Sequence, residues 1–168
     1  MSFVPIDINS LQLNPFTAFD GDWALLSAGN ESNFNTMTIS WGALGTMWNK
    51  PVAIVFVRPQ RYTKEFIDES DWFTVSFYPE KYRKALALFG SKSGRDSDKI
   101  KESGLTPYFI NGTVAFNEAR MIYVCKKLFG GQQLDPSKFI DADIISALYP
   151  KNDFHYFYFG EIIKVLVK

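Results

Sequence analysis

The run Pro51-Val-Ala-Ile-Val-Phe-Val-Arg58 constrains the fold of this chain more than any other feature. It is continuously apolar and rich in β-branched side chains, so both of its faces need cover, and Pro59 ends it by removing a ladder donor. Such a run suits a buried barrel strand. The flanking pattern favours a barrel: Trp23 to Ala28 and Met37 to Trp41 read as short strands, and Phe73, Val75 and Phe77 alternate with Thr74 and Ser76 as a strand with one buried face. Asn111-Gly112 between Tyr108-Phe-Ile110 and Thr113-Val-Ala-Phe116 is a hairpin signal, because both turn residues tolerate positive φ. Met121 to Lys126 continues as strand. His155 to Val167 forms a long last strand that Gly160 interrupts at a bulge or bend.

Helical pattern is sparse. Tyr62 to Ser70 reads as a short helix with Thr63 as N-cap and Tyr62 stapled onto Ile67. Glu80 to Phe89 reads as a second helix, stopped by Gly90. Asp135-Pro136 opens a helical stretch and Ile144 to Leu148 adds another turn. The regular strand–helix alternation of a dinucleotide-binding sheet is missing. The expected fold is mainly β with a few helices: an antiparallel barrel, in a single domain over 1–168.

Charge narrows the function. Eighteen basic and eighteen acidic residues give a net charge of zero, which argues against a general nucleic-acid binder. Residues 1–49 hold no Lys or Arg, whereas 81–101 hold Lys81, Arg83, Lys84, Lys92, Arg95, Lys99 and Lys101 against only Asp96 and Asp98. Such a segment is either a solvated face or one wall of an anion pocket or oligomer contact. One cysteine and one histidine exclude a disulfide framework and a standard structural zinc site. Cys125 reads as a packed thiol within an apolar strand. No signal peptide is visible at the amino terminus and no apolar run approaches bilayer length, so a cytoplasmic, membrane-free protein is expected.

Chemistry concentrates between Asn35 and Ile67. Thr38 and Ser40 share one strand face, with Thr36 in line behind them, and hydroxyls at every second position suit a polar ligand edge. Trp41-Gly42 offers a flat surface beside a backbone that permits close approach. Arg58 and Arg61 flank a helix start at Thr63, a combination suited to phosphate. Sixteen Phe, eight Tyr and four Trp supply either a bulky core or the walls of a flat-ring site. Phosphate-loop, dinucleotide-fingerprint and nucleophile-elbow motifs are absent.

The order N-x-M-T-x-S-W-G, a proline-led apolar strand, then R-x-x-R-Y-T-x-x-x-I resembles the signature of flavoredoxin and the flavin reductase-like proteins. Phe89-Gly-Ser-Lys-Ser-Gly-Arg-Asp-Ser-Asp-Lys99 is similar to that family's S-G-R-D-x-D-K segment, and the likeness runs on through Gly104-Leu-Thr106 to His155 and Gly160-Glu161. The resemblance implies an antiparallel Greek-key split barrel of the FMN-binding type, a homodimer with flavin mononucleotide (FMN) near the interface. It places Thr38, Ser40, Trp41 and Gly42 around the flavin, Arg58, Arg61, Tyr62 and Thr63 near its ribityl-phosphate end, and Ser91, Lys92 and Lys99 as further hydroxyl and cationic partners. Backbone N–H groups near Ala43 to Gly45 would meet the ring edge. His155 is the catalytic candidate, a proton or hydrogen-bond donor by the ring; the bland alternative is a packed histidine between Phe154 and Tyr156.

No metal is implied. The implied activity is electron transfer or oxidoreduction through FMN. An NAD(P)H-dependent flavin reductase and a non-enzymatic flavin- or haem-binding protein stay as alternatives. Trp41-Gly-Ala-Leu stands where the nicotinamide-dependent members are richer in serine, which leaves the electron donor open.

Overall fold

The computed structural model describes residues 2–168. Its strands are β1 (Val4–Ile6), β2 (Ala24–Gly29), β3 (Phe34–Ile39), β4 (Gly42–Met47), β5 (Lys50–Val57), β6 (Trp72–Phe77), β7 (Pro107–Ile110), β8 (Thr113–Phe116), β9 (Met121–Gln133) and β10 (Tyr156–Val167). The α-helices are α1 (Thr63–Glu69), α2 (Arg83–Ser91), α3 (Lys99–Ser103) and α4 (Ala142–Leu148).

One antiparallel sheet runs β3-β2-β6-β9-β10-β5-β4, with β1 also on β10, and β7–β8 form a separate hairpin. Strands far apart in sequence are neighbours, β5 beside β10 and β2 beside β6. The sheet curls on itself, because a single core draws side chains from β2, β3, β5, β6, β9 and β10, Leu26, Met37, Val55, Val75, Tyr123 and Ile162 among them. It does not close. The end strands β3 and β4 are unpaired with each other, and the chain passes between them through Ser40 and Trp41. The fold is a mainly β split barrel, and its split falls on the sequence block that carries the hydroxyls and the tryptophan.

The apolar run forms β5, central between β10 and β4, with Val52, Ala53, Val55 and Val57 buried. Asn111 (φ 52°) and Gly112 (φ 74°) make the expected hairpin turn. In β10 the register shifts beside Gly160, where an added Cβ would sit 2.4 Å from Phe73 Cζ and 2.8 Å from Cys125 Cβ. Glycine is therefore demanded by packing at the bend. Cys125 is fully buried there, and burial pushes its thiol pKa up.

Four local expectations are corrected. β6 is buried on both faces, because β8 covers the outer one and Thr74 Oγ1 donates to Val114 O at 2.5 Å. Thr63 does not cap α1: Tyr62 occupies the cap position without a side-chain bond, and Thr63 Oγ1 accepts from Asn35 Nδ2 at 2.9 Å. Tyr62 packs edge-on against Phe66, at 5.0 Å between centroids, rather than on Ile67, which is turned fully into the core. Gly90 does not stop α2, which runs through it to Ser91. Among the described residues, no helix is long and apolar enough to cross a membrane.

Candidate functional site

The split edge opens into a cavity of about 290 Å³ lined by Met37, Thr38, Ser40, Trp41, Phe56, Arg58, Arg61 and His155, among others. A second cavity of about 130 Å³ shares Met37 and Arg61 with it and is lined further by Tyr62, Thr63, Ser91, Lys92 and Lys99. One continuous cleft thus collects eleven of the twelve residues singled out from the sequence. Gly42 lines neither of these but a more apolar cavity that adjoins the first, sharing Ser40, Trp41 and Phe56 with it. A Cβ at Gly42 would sit 2.5 Å from Phe19 Cε1, so the close approach this glycine permits is that of Phe19. Ala43 to Gly45 belong to β4, an end strand whose outer edge carries no neighbour in the sheet.

The strand hydroxyls differ in what they can offer. Thr36 is spent inside the barrel, accepting from Ser27 Oγ at 2.7 Å and donating to Leu26 O at 3.1 Å. The Thr38 hydroxyl donates to Leu86 O on α2, which docks that helix on β3. Among the described residues, the Ser40 hydroxyl makes no protein hydrogen bond and lines the cavity. The alternation is as expected, but one hydroxyl of three is free to donate.

Two of the cations are already neutralised. Arg58 Nη1 pairs with Asp153 at 2.7 Å, Nη2 donates to Leu148 O at 2.9 Å, and the guanidinium lies 5.0 Å from the Tyr149 ring centroid. Lys92 pairs with Glu102 at 2.5 Å, half exposed, and Ser91 Oγ donates back into its own helix, to Ala87 O at 2.9 Å.

The other two are not. Arg61 Nη1 and Nη2 donate to Gly90 O and Phe89 O at 2.8 and 3.1 Å, and Lys99 Nζ donates to Thr36 O at 2.8 Å. Among the described residues, neither forms an ion pair with any carboxylate. Lys99 is only 4% exposed. Burial, reinforced by the neighbouring Arg61 charge, pushes its pKa down to about 8. Burial lowers that of Arg61 as well. Two desolvated cations held by neutral carbonyls carry an unmet demand for an anion.

The helix start adds less than its sequence suggests. The Lys64 and Glu65 amides donate to Arg61 O and Tyr62 O, and the Thr63 hydroxyl is held by Asn35. Tyr62 is clamped under the Arg95 guanidinium, 4.5 Å from its centroid, and a Cβ at Gly94 would meet Asn35 Oδ1 at 2.5 Å. The S-G-R-D-x-D-K segment is thereby folded tightly over β3 and α1, and Lys99 reaches inward as a result.

Asn35, Met37, Phe56 and Tyr149 were not singled out as site residues. Asn35 and Met37 stood only as the first and third residues of the N-x-M-T motif, with no role assigned to them. Tyr149 carried no signal: it closes α4 and meets His155 through the tertiary fold, its OH 2.8 Å from Nδ1. Among the described residues, no group of His, Cys, Asp and Glu is placed to hold a metal ion.

The fold and the cleft define a split barrel with an anion-seeking, partly aromatic site at its open edge. Residues 17–137 match the flavin reductase like domain family, and the chain belongs to that family of flavin-related redox proteins. The FMN-binding domain of a flavin reductases-like enzyme from Shewanella baltica superposes with a TM-score of 0.70 at 16% identity, covering 99% of this chain and 77% of its own. Flavoredoxin from Methanosarcina acetivorans gives 0.67 at 23% identity, over 88% and 68% of the two chains. An FMN-binding protein from Thermus thermophilus with bound p-hydroxybenzaldehyde gives 0.68 at 19%, over 97% and 81%. At these identities the likeness is one of fold. Among curated proteins, none matches this sequence.

Proposed function

We propose that this chain is an FMN-binding flavoprotein of the flavoredoxin type, an oxidoreductase that passes electrons through the bound flavin. The observation that carries this reading is a pair of cations with no carboxylate partner among the described residues, Lys99 buried and Arg61 partly buried. A phosphate monoester, with nearly two negative charges at neutral pH, answers that demand. The residues fit the rest of the group in the same order along the cleft. Arg61 and Lys99 would hold the phosphate beside Ser91 and Lys92; Ser40, Trp41 and Phe56 would border the ring.

FMN, when bound, supplies one- and two-electron redox chemistry that no side chain here provides. The protein's part is to bind, orient and partly desolvate it. Trp41 offers its ring as one wall, the Ser40 hydroxyl a hydrogen bond, and the cations a charge that favours an electron-rich ligand. Haem is the poorer fit, because the sole imidazole that could ligate iron is only 8% exposed.

The test is a comparison of FMN with riboflavin, which lacks the phosphate. Equilibrium titration followed by flavin fluorescence should give FMN the tighter binding by between about 10-fold and 100-fold, the worth of one charge-assisted contact. Equal affinities, or no binding of either, would remove the proposal.

The protein is proposed to act as a homodimer. Trp48, Phe129 and Phe159 form one aromatic group, with Trp48 52% and Phe129 45% exposed, and Leu128 and Ile163 are also exposed on β9 and β10. Apolar surface of this kind asks for cover. Sedimentation equilibrium should return twice the chain mass of 19.2 kDa, and a monomer at micromolar concentration would refute it.

A further inference from the structure

His155 sits at the mouth of β10, and its backbone is pinned: Leu134 N donates to its carbonyl at 2.9 Å, and Gln133 Nε2 to that of Phe154 at 3.0 Å. Its ring is 4.9 Å from Trp41 and 6.5 Å from Phe56, between centroids, and it lines the larger cavity. One face of the problem is settled by Tyr149, whose hydroxyl lies 2.8 Å from Nδ1 in a buried contact. Nε2 has no protein partner among the described residues. Tyr149 and His155 both lie beyond the residues 17–137 that match the family.

The direction of the Tyr149 hydrogen bond decides what Nε2 presents. A neutral imidazole carries one proton, so if the phenol donates to Nδ1 the proton must sit on Nε2. Two features favour that direction. A phenol is a better donor than acceptor, and the Arg58 guanidinium over the Tyr149 ring withdraws electron density from its oxygen. The charged groups facing the pair are Arg58 at the end of β5, Asp153 in the segment before β10, and Arg61 across the cavity. Asp153 is occupied by Arg58 and Gln60, at 2.7 and 2.8 Å, so it does not reach the imidazole as a free carboxylate.

We propose that Tyr149 is a positioning residue that donates to His155 Nδ1 and fixes the imidazole as a neutral Nε2–H donor aimed at the cavity, a partner for a carbonyl oxygen or other neutral acceptor on a planar ligand. His155 then gives a hydrogen bond and not a proton. Its pKa agrees: burial, with Arg58 acting in the same sense, pushes it down to about 4, so it stays neutral near pH 7. The identity of the acceptor as a flavin or its redox partner rests on the function proposed above; the tautomer does not.

Because the chain has one histidine, selective ¹⁵N-histidine labelling yields a ring spectrum from His155 alone. In the ligand-free protein at pH 7 the expected result is a protonated Nε2 and a bare Nδ1. Tyr149→Phe keeps the stacking on Phe154 (4.6 Å) and the Arg58 contact while removing the donor. In that variant the Nε2–H population should fall several-fold relative to Nδ1–H, and the ring should titrate at higher pH. A protonated Nδ1 in the wild-type protein overturns the proposal even if the variant fails to fold, as does a variant whose tautomer is unchanged. FMN titration of the same samples separates the two readings. The wild-type tautomer with no FMN binding would sink the cofactor and spare the Tyr149 assignment, whereas FMN binding with the opposite tautomer would do the reverse.

Discussion

Replacing Lys99 with methionine is expected to stabilise the ligand-free protein and, in the same stroke, to weaken FMN. The two effects have one cause. Lys99 is buried with its ammonium on a single neutral carbonyl, and its pKa is held at about 8 against an ordinary value of 10.5. A displacement of that size corresponds to about 3 kcal/mol of penalty for keeping the charge in the folded state. Methionine removes the penalty and fills similar space, but leaves Thr36 O without its donor, at a cost of about 1 kcal/mol. A net gain of about 2 kcal/mol in unfolding free energy at pH 7 should appear in urea titrations.

The sign has a pH signature. Below pH 8 the lysine is protonated in both folded and unfolded chains, and the penalty is fully present. Between about 8 and 10.5 the folded protein gives up the proton first, so wild-type stability climbs with pH, and the advantage of Lys99→Met fades across that window. FMN affinity should move the other way, falling between about 10-fold and 100-fold at pH 7 as a charge-assisted hydrogen bond is lost. A variant that is more stable yet binds FMN as well as the wild type would show that Lys99 is an unpaired charge with no ligand to serve.

The fate of Lys99 shows how far the sequence could be read. The strand from Pro51 to Arg58 and the Asn111-Gly112 hairpin were legible because each is fixed locally, by apolar continuity in one case and positive φ in the other. The order of the two basic motifs led to the family, and the cleft collects most of their residues. What a lysine on a short helix does was not legible, because its burial depends on Gly94 folding the preceding loop onto Asn35 and Tyr62. β4 was missed for a similar reason. It is mostly exposed and glycine-bearing, and its turn places Trp48 and Asn49 at φ 52° and 58°, where tryptophan gives no turn signal. Arg58 and Arg61 look equivalent on paper. The fold gives one an aspartate from ninety-five residues away and leaves the other with backbone carbonyls and no carboxylate, a difference that only tertiary structure creates.

His155 should give the protein a steep acid limb that begins well above the carboxylate range. In the unfolded chain it titrates near 6.5, and in the folded protein burial holds it down to about 4. Above pH 6.5 the imidazole is neutral in both states and contributes nothing to the pH dependence. As pH falls from 6.5 toward 4 the unfolded chain takes up a proton that the folded one refuses, so stability is lost at up to about 1.4 kcal/mol per pH unit. The total approaches about 3 kcal/mol by pH 4. Carboxylates add their own losses lower down, since the Gln60 and Arg58 contacts hold Asp153, and Lys92 holds Glu102, below their usual values. The two contributions separate by mutation. His155→Gln retains an acceptor for the Tyr149 hydroxyl but cannot titrate, so its unfolding free energy should be flat between pH 6.5 and 5 where the wild type slopes. If both proteins fall in parallel over that interval, the imidazole is protonated as readily inside the barrel as in water. The cavity it lines would then be wet and polar at that end, with no fixed donor to offer a ligand.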